Sequence, residues 1–314
     1  MIPFKKLNYD EREINAVAEV MRSGMVGLGD KVFKFEKELA EYLGVKYVIA
    51  TDSCTSALLI CLEYEAVYSV GVPATTVPLV ANAVIESGSN LYFTDDIEWI
   101  GNKYRLENTN IFDSAHEIYR YQLNDIGQRE KVCYSFYPTK GIGSADGGAI
   151  ATNDKDFAKW ARSKITYGRN QEQKYGNSWD YDVMMFGYKR HYTNLQAAIC
   201  LEQLKKLDNT NVIRERIRNK YNDALDTNNT SLYLYRINVE NRDEFIEDAL
   251  VEGIQCGVHY KPMYMMKAFR KFPVIGDKHE IEEDYETTVS LPFHAMLTDE
   301  DVSKVIEFTK NNYE

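Results

Sequence analysis

The sequence predicts an α/β protein in which a mostly parallel central sheet carries helices on both faces, with a smaller α+β domain after it. Two observations lead to this prediction. Between residues 47 and 164, short apolar runs with strand character alternate with helical runs, and glycine or proline falls between them. After residue 208 the alternation stops, and a long polar helical stretch leads into a tail with fewer strands. We therefore expect a large domain at residues 1–208, and a small domain at residues 209–314 against which the N-terminal helix also packs.

The first predicted elements are two amphipathic helices. Apolar side chains recur with helical spacing at Ile14, Val17 and Met21, which predicts a helix over residues 10–23. The same pattern predicts a second helix over residues 31–43. A glycine follows each helix directly, which is typical of a helix end.

The remaining elements follow in the order in which the apolar runs occur. In the large domain, strands are predicted at residues 47–50, 70–73, 91–94, 110–112, 131–136 and 149–152. Helices are predicted to begin at residue 53 and to span residues 80–86, 157–164 and 193–208, the last continuing as a polar helix to about residue 225. In the tail, strands are expected near residues 232–239 and 257–260, joined by a helix over residues 242–252.

Composition excludes several classes of protein. A hydrophobic fraction of 44% with 27% charged residues is ordinary for a soluble globular chain. The formal net charge of −11, without a Lys/Arg cluster, argues against a nucleic-acid partner. We find no apolar run long enough to cross a bilayer and no signal peptide, so we expect no membrane association and a cytoplasmic protein. The five scattered cysteines favour reduced thiols over a disulfide frame or a metal site.

Lys140 is the residue in this sequence with the strongest sign of chemistry. An apolar approach over residues 132–136 delivers it between a proline and glycines, so it does not lie on a solvated helix face. Apolar surroundings favour the neutral amine, because desolvation penalises the ammonium, and a neutral amine attacks aldehydes. The pattern therefore predicts a lysine that forms a Schiff base. A surface lysine in a turn between two strands is the alternative.

The residues around Lys140 resemble a known motif. Ser-Phe-Tyr-Pro-Thr-Lys-Gly-Ile-Gly at residues 135–143, with Gly-Gly-Ala-Ile-Ala-Thr after it, is similar to the pyridoxal-phosphate lysine motif of the DegT/StrS family of nucleotide-sugar aminotransferases. The resemblance also covers residues 23–44, 258–262 and 290–294. It implies the type I fold of aspartate aminotransferase, with pyridoxal 5'-phosphate (PLP) held by Lys140.

An acid that keeps the pyridine nitrogen of PLP protonated is expected at the carboxyl end of a buried strand. Asp113 follows the predicted strand 110–112, and a carboxylate beside a pyridinium makes the ring an electron sink. The resemblance to the family pattern Glu-Asp-x-Ala-His/Gln assigns Asp113 to the ring nitrogen, as a second catalytic residue. It also places His116 near the ring oxygen. Without the resemblance, Asp113 would be read as a helix cap and His116 as a surface histidine.

A phosphate cradle is predicted where the first strand meets the next helix. Ser53, Cys54 and Thr55 lie at this junction, where free backbone N–H groups and the helix dipole attract anions. A plain N-cap has the same composition. The family has Ser-Gly-Thr here, so Cys54 replaces a glycine. Ser135 matches a further phosphate ligand of the family, and its alternative is a strand hydroxyl bonded to backbone.

The chain also departs from the family pattern at other positions. Val77 stands where the family usually has an aromatic residue stacked on the cofactor. Lys189 replaces an asparagine that reaches the cofactor phosphate of the neighbouring subunit, which implies a homodimer with shared active sites. A solvated basic turn is the alternative for Lys189. Between Asp95 and Asp113 the family has an additional strand and helix that this chain lacks.

The resemblance implies a reaction. An amino group would pass from an amino acid, glutamate by analogy, to a keto group of a nucleotide-linked sugar, with Lys140 moving the proton. A deoxysugar dehydratase of the same family is one alternative, although those enzymes replace the lysine with histidine. A catalytically silent PLP-binding or regulatory protein is another, suggested by Val77 and by the shortened segment.

Overall fold

The computed structural model describes residues 1–169 and 181–312. Its helices are α1 Glu11–Ser23, α2 Asp30–Leu43, α3 Cys54–Glu65, α4 Pro78–Glu86, α5 Lys155–Ile165, α6 Asn194–Leu225, α7 Arg242–Val251, α8 Lys278–Thr287 and α9 Asp299–Asn312. Its strands are β1 Tyr47–Thr51, β2 Ser69–Pro73, β3 Asn90–Thr94, β4 Tyr104–Arg105, β5 Ile111–Asp113, β6 Lys131–Ser135, β7 Gly148–Thr152, β8 Tyr235–Asn238, β9 Val274–Ile275 and β10 Thr288–Leu291.

The predicted N-terminal helices form as their sequences indicate. Asp10 caps α1 in a capping box with Glu13, and Gly24 ends the helix in the left-handed conformation. α1 packs along α6, where Glu13 binds Gln203 and Lys206. α2 lies against the same helix. The long helix α6 therefore supports both N-terminal helices, and it runs unbroken across residue 208.

The central sheet confirms the α/β class, but it is mixed, so the prediction of a mostly parallel sheet is wrong. β5 pairs parallel with β6, and β2 pairs parallel with β3. β7 pairs antiparallel with both β1 and β6. β6 and β7 are antiparallel because the loop that carries Lys140 joins them as a long hairpin. Ser135 therefore lies opposite Gly148. The ends of β6 and β7 therefore meet beside that loop.

The shortened segment is closed by the two-residue strand β4. β4 pairs antiparallel with β5, with Tyr104 opposite Asp113. Two residues further on, Glu107 makes a single bridge to Gly71 of β2. One short stretch thus connects the β1-β7-β6-β5-β4 sheet to the β2-β3-β9 sheet. It lies in the segment between Asp95 and Asp113 that the sequence analysis identified as shortened.

The C-terminal part of the chain has its own core and its own small sheet. β8 pairs antiparallel with β10, and Tyr235 lies opposite Leu291. The predicted strand at residues 257–260 is wrong, because Gly257 makes only an isolated bridge to Ser290. The chain then turns away from the sheet, and Tyr260 reaches His116 instead. β9 also comes from this part of the chain, but it pairs with β3 from the N-terminal part. The division into two domains at residue 208 therefore stays a prediction.

The first residues of the chain lie among C-terminal elements. The Ile2 amide donates to the Gly253 carbonyl at 2.7 Å, and the Gln255 amide donates to the Ile2 carbonyl at 3.0 Å. Ile2 is buried in the C-terminal core cluster. The segment before α1 is therefore held by residues that follow it by about 250 positions.

Three further properties concern the cysteines, the length of the apolar helices and metal binding. The five cysteines are free thiols. Among residues 1–169 and 181–312, no helix has the length and apolar character that crossing a bilayer requires. Within the same residues, no group of three His, Cys, Asp or Glu side chains gathers to hold a metal ion.

Candidate active site

Lys140 lies in the loop between β6 and β7, in a compact turn. Its amide donates to the Tyr137 carbonyl at 2.9 Å. A Cβ on Gly143 would lie 2.3 Å from the Pro138 carbonyl oxygen, so only glycine permits this turn. The Lys140 side chain is half-buried, with its Nζ 4.5 Å from the centroid of the Tyr233 ring. The structure thus presents the amine to an aromatic face in the interior of the protein.

Asp113 is the last residue of β5 and is buried. Its Oδ1 accepts the Ala115 amide at 2.8 Å, and its Oδ2 accepts the Tyr104 hydroxyl at 3.1 Å. Burial raises the pKa of Asp113, whereas the Ala115 amide, the charge of Lys140 and the Tyr104 hydroxyl lower it. The bond to Ala115 closes a turn, and no helix begins here, so Asp113 is not a helix cap. Asp113 and Lys140 are close enough for their charges to interact.

His116 is buried, and both of its ring nitrogens have partners. The Gly101 amide donates to Nδ1 at 3.3 Å, and Nε2 lies 3.0 Å from the Tyr260 hydroxyl. Burial, followed by the charge of Lys140, lowers the pKa of His116 well below its usual value. The ring is therefore neutral, with its proton on Nε2 facing Tyr260. The surface alternative for His116 does not hold, because its ring centroid is 4.2 Å from that of Tyr233.

The first turn of α3 faces the Lys140 loop. Ser53 is the N-cap, and its Oγ accepts the Ser56 amide at 3.1 Å. The amides of Cys54 and Thr55 have no acceptor among the described residues. A Cβ on Gly148 would lie 2.5 Å from the Cys54 nitrogen, so β7 packs directly against this turn. Two free amides at a helix N-terminus suit an oxyanion.

Cys54 connects this turn to the catalytic candidates. Burial raises the pKa of the Cys54 thiol well above its usual value; the charge of Asp113 raises it further, and the charge of Lys140 lowers it. Both charges therefore act on the first residue of α3. The structure brings Lys140, Asp113 and Cys54 into one region.

Three further residues of the predicted site are Ser135, Val77 and Lys189. Ser135 ends β6, and its Oγ accepts the Tyr137 amide at 3.4 Å. Val77 precedes α4 and packs against the hydrophobic core cluster that contains Val80 and Phe93. Lys189 is exposed, and its backbone bridges Thr166 of the same chain.

Sequence reasoning missed a cationic group beside Lys140. Lys5 donates from Nζ to the carbonyls of Tyr233 and Phe293, and its Nζ lies 4.3 Å from the Tyr233 ring centroid. A small cavity of about 20 Å³ is lined by Lys5, Lys140 and Arg214. Arg214 forms no ion pair within the described residues. The Lys5-Lys6 pair is the sequence signal for this cationic group. The sequence does not show where the first residues pack, so the position of Lys5 beside Lys140 could not be predicted.

Comparison with known proteins decides the family. The sequence profile of the DegT/DnrJ/EryC1/StrS aminotransferase family matches residues 8–102 and 95–310. The chain belongs to this family. The predicted family and the predicted class of enzyme, a PLP-dependent aminotransferase, are thereby confirmed.

Curated relatives align with this aminotransferase along nearly its whole length. The spore coat polysaccharide biosynthesis protein SpsC of Bacillus subtilis is 28% identical over 378 residues, which cover 99% of this chain and 96% of SpsC. The UDP-4-amino-4,6-dideoxy-N-acetyl-beta-L-altrosamine transaminase of Campylobacter jejuni is 26% identical over 97% of this chain and 96% of its own length. Because the aligned span exceeds 314 residues, this aminotransferase lacks residues that the relatives have.

Solved structures confirm the type I fold. A DegT DnrJ EryC1 StrS aminotransferase from Brucella abortus is 26% identical, covers 96% of this chain and 95% of its own, and superposes with a TM-score of 0.81. The aminotransferase PseC of Helicobacter pylori superposes with a TM-score of 0.83 over 99% of both chains, at 22% identity. The shortened segment has therefore left the fold of the family in place.

The residues of this aminotransferase fit PLP. A buried carboxylate, Asp113, has one donor on each oxygen and can accept another hydrogen bond from a pyridinium. The free amides of Cys54 and Thr55 suit a phosphate, and Gly148 leaves the room that their turn needs. Lys140 supplies an amine in the same region. The donor set thus matches the three charged or reactive groups of the cofactor.

Proposed function

We propose that this aminotransferase moves an amino group from an amino acid, L-glutamate by family analogy, to a keto group of a nucleotide-linked sugar. The observation that carries the proposal is the meeting of Lys140, Asp113 and the first turn of α3 in one region of a family member. PLP, when bound, supplies an aldehyde for the substrate amine and an electron sink. The cytoplasm is the proposed location, in keeping with the five free cysteines.

Each site residue has a proposed role. Lys140 holds the cofactor and moves the proton of the reacting carbon. Asp113 stays ionised beside the pyridine nitrogen and keeps it protonated. His116, being neutral, is proposed to lie beside the ring oxygen. The remaining proposed contacts are a phosphate cradle and a cover for one ring face, assigned to Ser53, Cys54, Thr55 and Ser135 for the phosphate and to Val77 for the ring.

The cationic group beside Lys140 supports anionic substrates. Burial, and then the charges of Arg214 and Lys140, lower the pKa of Lys5 well below its usual value. An anion bound near Lys5 and Arg214 would offset this mutual repulsion. Both proposed substrates carry such anions, as carboxylates on the amino acid and as a diphosphate on the nucleotide sugar.

The first half of the reaction tests the proposal. Protein loaded with PLP and mixed with L-glutamate, without an acceptor, should form one 2-oxoglutarate per active site as the visible absorbance of the cofactor disappears. Lys140→Arg is the matched control, because it keeps the positive charge but offers no neutral amine. Bound cofactor with no 2-oxoglutarate would support the silent protein instead. Incubation with nucleotide keto-sugars then separates amination from the loss of water that a dehydratase would catalyse.

We further propose that the active enzyme is a homodimer in which Lys189 reaches the cofactor phosphate of the neighbouring subunit. Lys189 is exposed, as this requires. Apolar side chains are exposed on the segment before it; Phe186 is 97% and Met184 62% exposed, which is typical of an interface. A lysine contributes a charge-assisted hydrogen bond where the family has a neutral asparagine.

Mixed dimers test the role of Lys189. Lys189→Ala should weaken PLP binding about 10-fold or more, because hydrogen bonds to charged groups contribute roughly 1.5–3 kcal/mol. Refolding Lys189→Ala with an equal amount of Lys140→Ala should restore about a quarter of the parent activity at limiting PLP, since half of the dimers are mixed and each has one intact site. Unchanged PLP affinity of Lys189→Ala would instead identify Lys189 as part of a solvated turn.

A further inference from the structure

Tyr104 stands on the short strand that closes the shortened segment, directly opposite Asp113. Backbone pairing fixes this position, because β4 and β5 are antiparallel with Tyr104 and Asp113 as partners. The Tyr104 hydroxyl donates to Asp113 Oδ2 at 3.1 Å. The residue therefore reaches a catalytic candidate through both its backbone and its side chain.

The neighbours of Tyr104 fix the orientation of its hydroxyl group. Tyr104 is only 5% exposed, and the Trp99 ring lies 4.4 Å from its own. Thr76 Oγ1 lies 3.1 Å from the same hydroxyl. Because the hydroxyl gives its proton to Asp113, Thr76 must donate to the phenol oxygen. A chain of hydrogen bonds thus runs from Thr76 through Tyr104 to Asp113.

The Tyr104 hydroxyl remains the donor to the ionised Asp113 carboxylate over the working pH range. Burial raises the pKa of the Tyr104 phenol well above its usual value, and the charge of Asp113 raises it further. The phenol therefore keeps its proton throughout the range in which enzymes work. A hydrogen bond donated to a carboxylate favours the ionised carboxylate, which here counteracts the effect of burial on Asp113.

We propose that Tyr104 is a positioning residue for the transamination: it orients Asp113 and favours its ionised form, so that the carboxylate can pair with the pyridine nitrogen of PLP. This inference rests on the proposed role of Asp113. Tyr104 reaches the cofactor only through Asp113 and touches no reacting atom. Besides Tyr104, Asp113 faces the Ala115 amide, the charge of Lys140, the Cys54 thiol and the Tyr260 hydroxyl. The strand that replaces the missing segment thus also supplies a donor to the site.

The first test compares two tyrosines. Tyr104→Phe removes one hydroxyl and should raise the Kd for PLP about 10-fold, as expected for a lost hydrogen bond to a charged group. Tyr221→Phe is the matched control, because Tyr221 is also buried but donates to the Pro292 carbonyl at 3.0 Å, within the C-terminal core cluster. Its Kd should equal that of the parent. The free energy of unfolding of each apoprotein is measured alongside; a loss of stability in Tyr104→Phe with unchanged Kd would overturn the inference.

The second test asks whether Tyr104 acts through Asp113. In an Asp113→Asn background, Tyr104→Phe should change the Kd less than 2-fold, because the charge that the hydroxyl serves is gone. In the parent background, Tyr104→Phe should also move the acid limb of PLP binding to higher pH, since Asp113 loses a donor that lowers its pKa.

The outcomes separate this inference from the proposed function. If Asp113→Asn weakens PLP binding but Tyr104→Phe does not, the inference about Tyr104 is overturned and the role of Asp113 stands. Equal effects of Tyr104→Phe in both backgrounds would also overturn it. If Asp113→Asn leaves the Kd unchanged, the proposed role of Asp113 fails and the inference falls with it.

Discussion

Replacing Lys140 with alanine should lower the rate of amino transfer by at least about 10³-fold, because one residue both holds the cofactor and moves the proton. The visible absorbance of the PLP-loaded protein should be lost as well. Lys140 lies in a turn that needs glycine at Gly143, and its amine faces the Tyr233 ring. The apoprotein should stay folded, since the side chain makes no ion pair within the described residues.

Lys140→Arg tests whether the positive charge of Lys140 is sufficient for activity or whether its amine is required. Arginine keeps a cation near Tyr233 but remains protonated, so it cannot serve as the amine. Both variants should therefore be inactive with glutamate, as followed by 2-oxoglutarate formation. Transfer at the parent rate by Lys140→Ala, or retention of its visible absorbance, would exclude Lys140 as the cofactor lysine.

Asp113→Asn should have opposite effects on function and on the stability of the apoprotein. We expect a loss in the rate of transfer on the order of 10²- to 10³-fold, the range found when one electrostatic contact to a transition state is removed. The amide can still accept from Ala115 and can donate to the Tyr104 oxygen. The local hydrogen bonds therefore survive while the charge does not.

The pKa of Asp113 gives the sign of the stability effect. Burial holds this pKa above its usual value in the folded protein, so the ionised carboxylate lowers stability at pH 8, and that cost disappears as the pH falls through the folded pKa. Asp113→Asn removes the cost. The apo variant should be at least as stable as the parent at pH 8, as measured by urea unfolding.

Asp284→Asn is the control for Asp113→Asn. Asp284 is also a buried carboxylate, but it binds Arg236 through both of its oxygens. This variant should lose stability, because an arginine is left without its partner, while its affinity for PLP stays that of the parent. A stable Asp113→Asn variant with parent activity would show that Asp113 does not serve the pyridine nitrogen.

Local patterns explain what the sequence could predict. The turn around Lys140 and the position of Asp113 at a strand end are set by residues within ten positions of each, so both are readable without the structure. The same holds for the capped helix α1. These features form because neighbouring residues determine them.

What could not be predicted depends on contacts between distant residues. β4 has only two residues and therefore no periodicity to read, so the donor that Tyr104 gives to Asp113 was not foreseen. The alternating residues 257–260 read as a strand, but a contact 144 positions away draws Tyr260 to His116. The position of Lys5 beside Tyr233 likewise has no local signal, since 228 positions separate them.

The pairing of Ile2 with Gly253 and Gln255 has a consequence for biosynthesis. A ribosome makes the chain from the first residue onward, so Ile2 waits without its partners until about four fifths of the protein has been translated. Contacts of such sequence separation slow folding, because a long loop must close before they form. The apolar side chain of Ile2 therefore lacks its partners during most of translation, and a nascent-chain chaperone could bind it in that time.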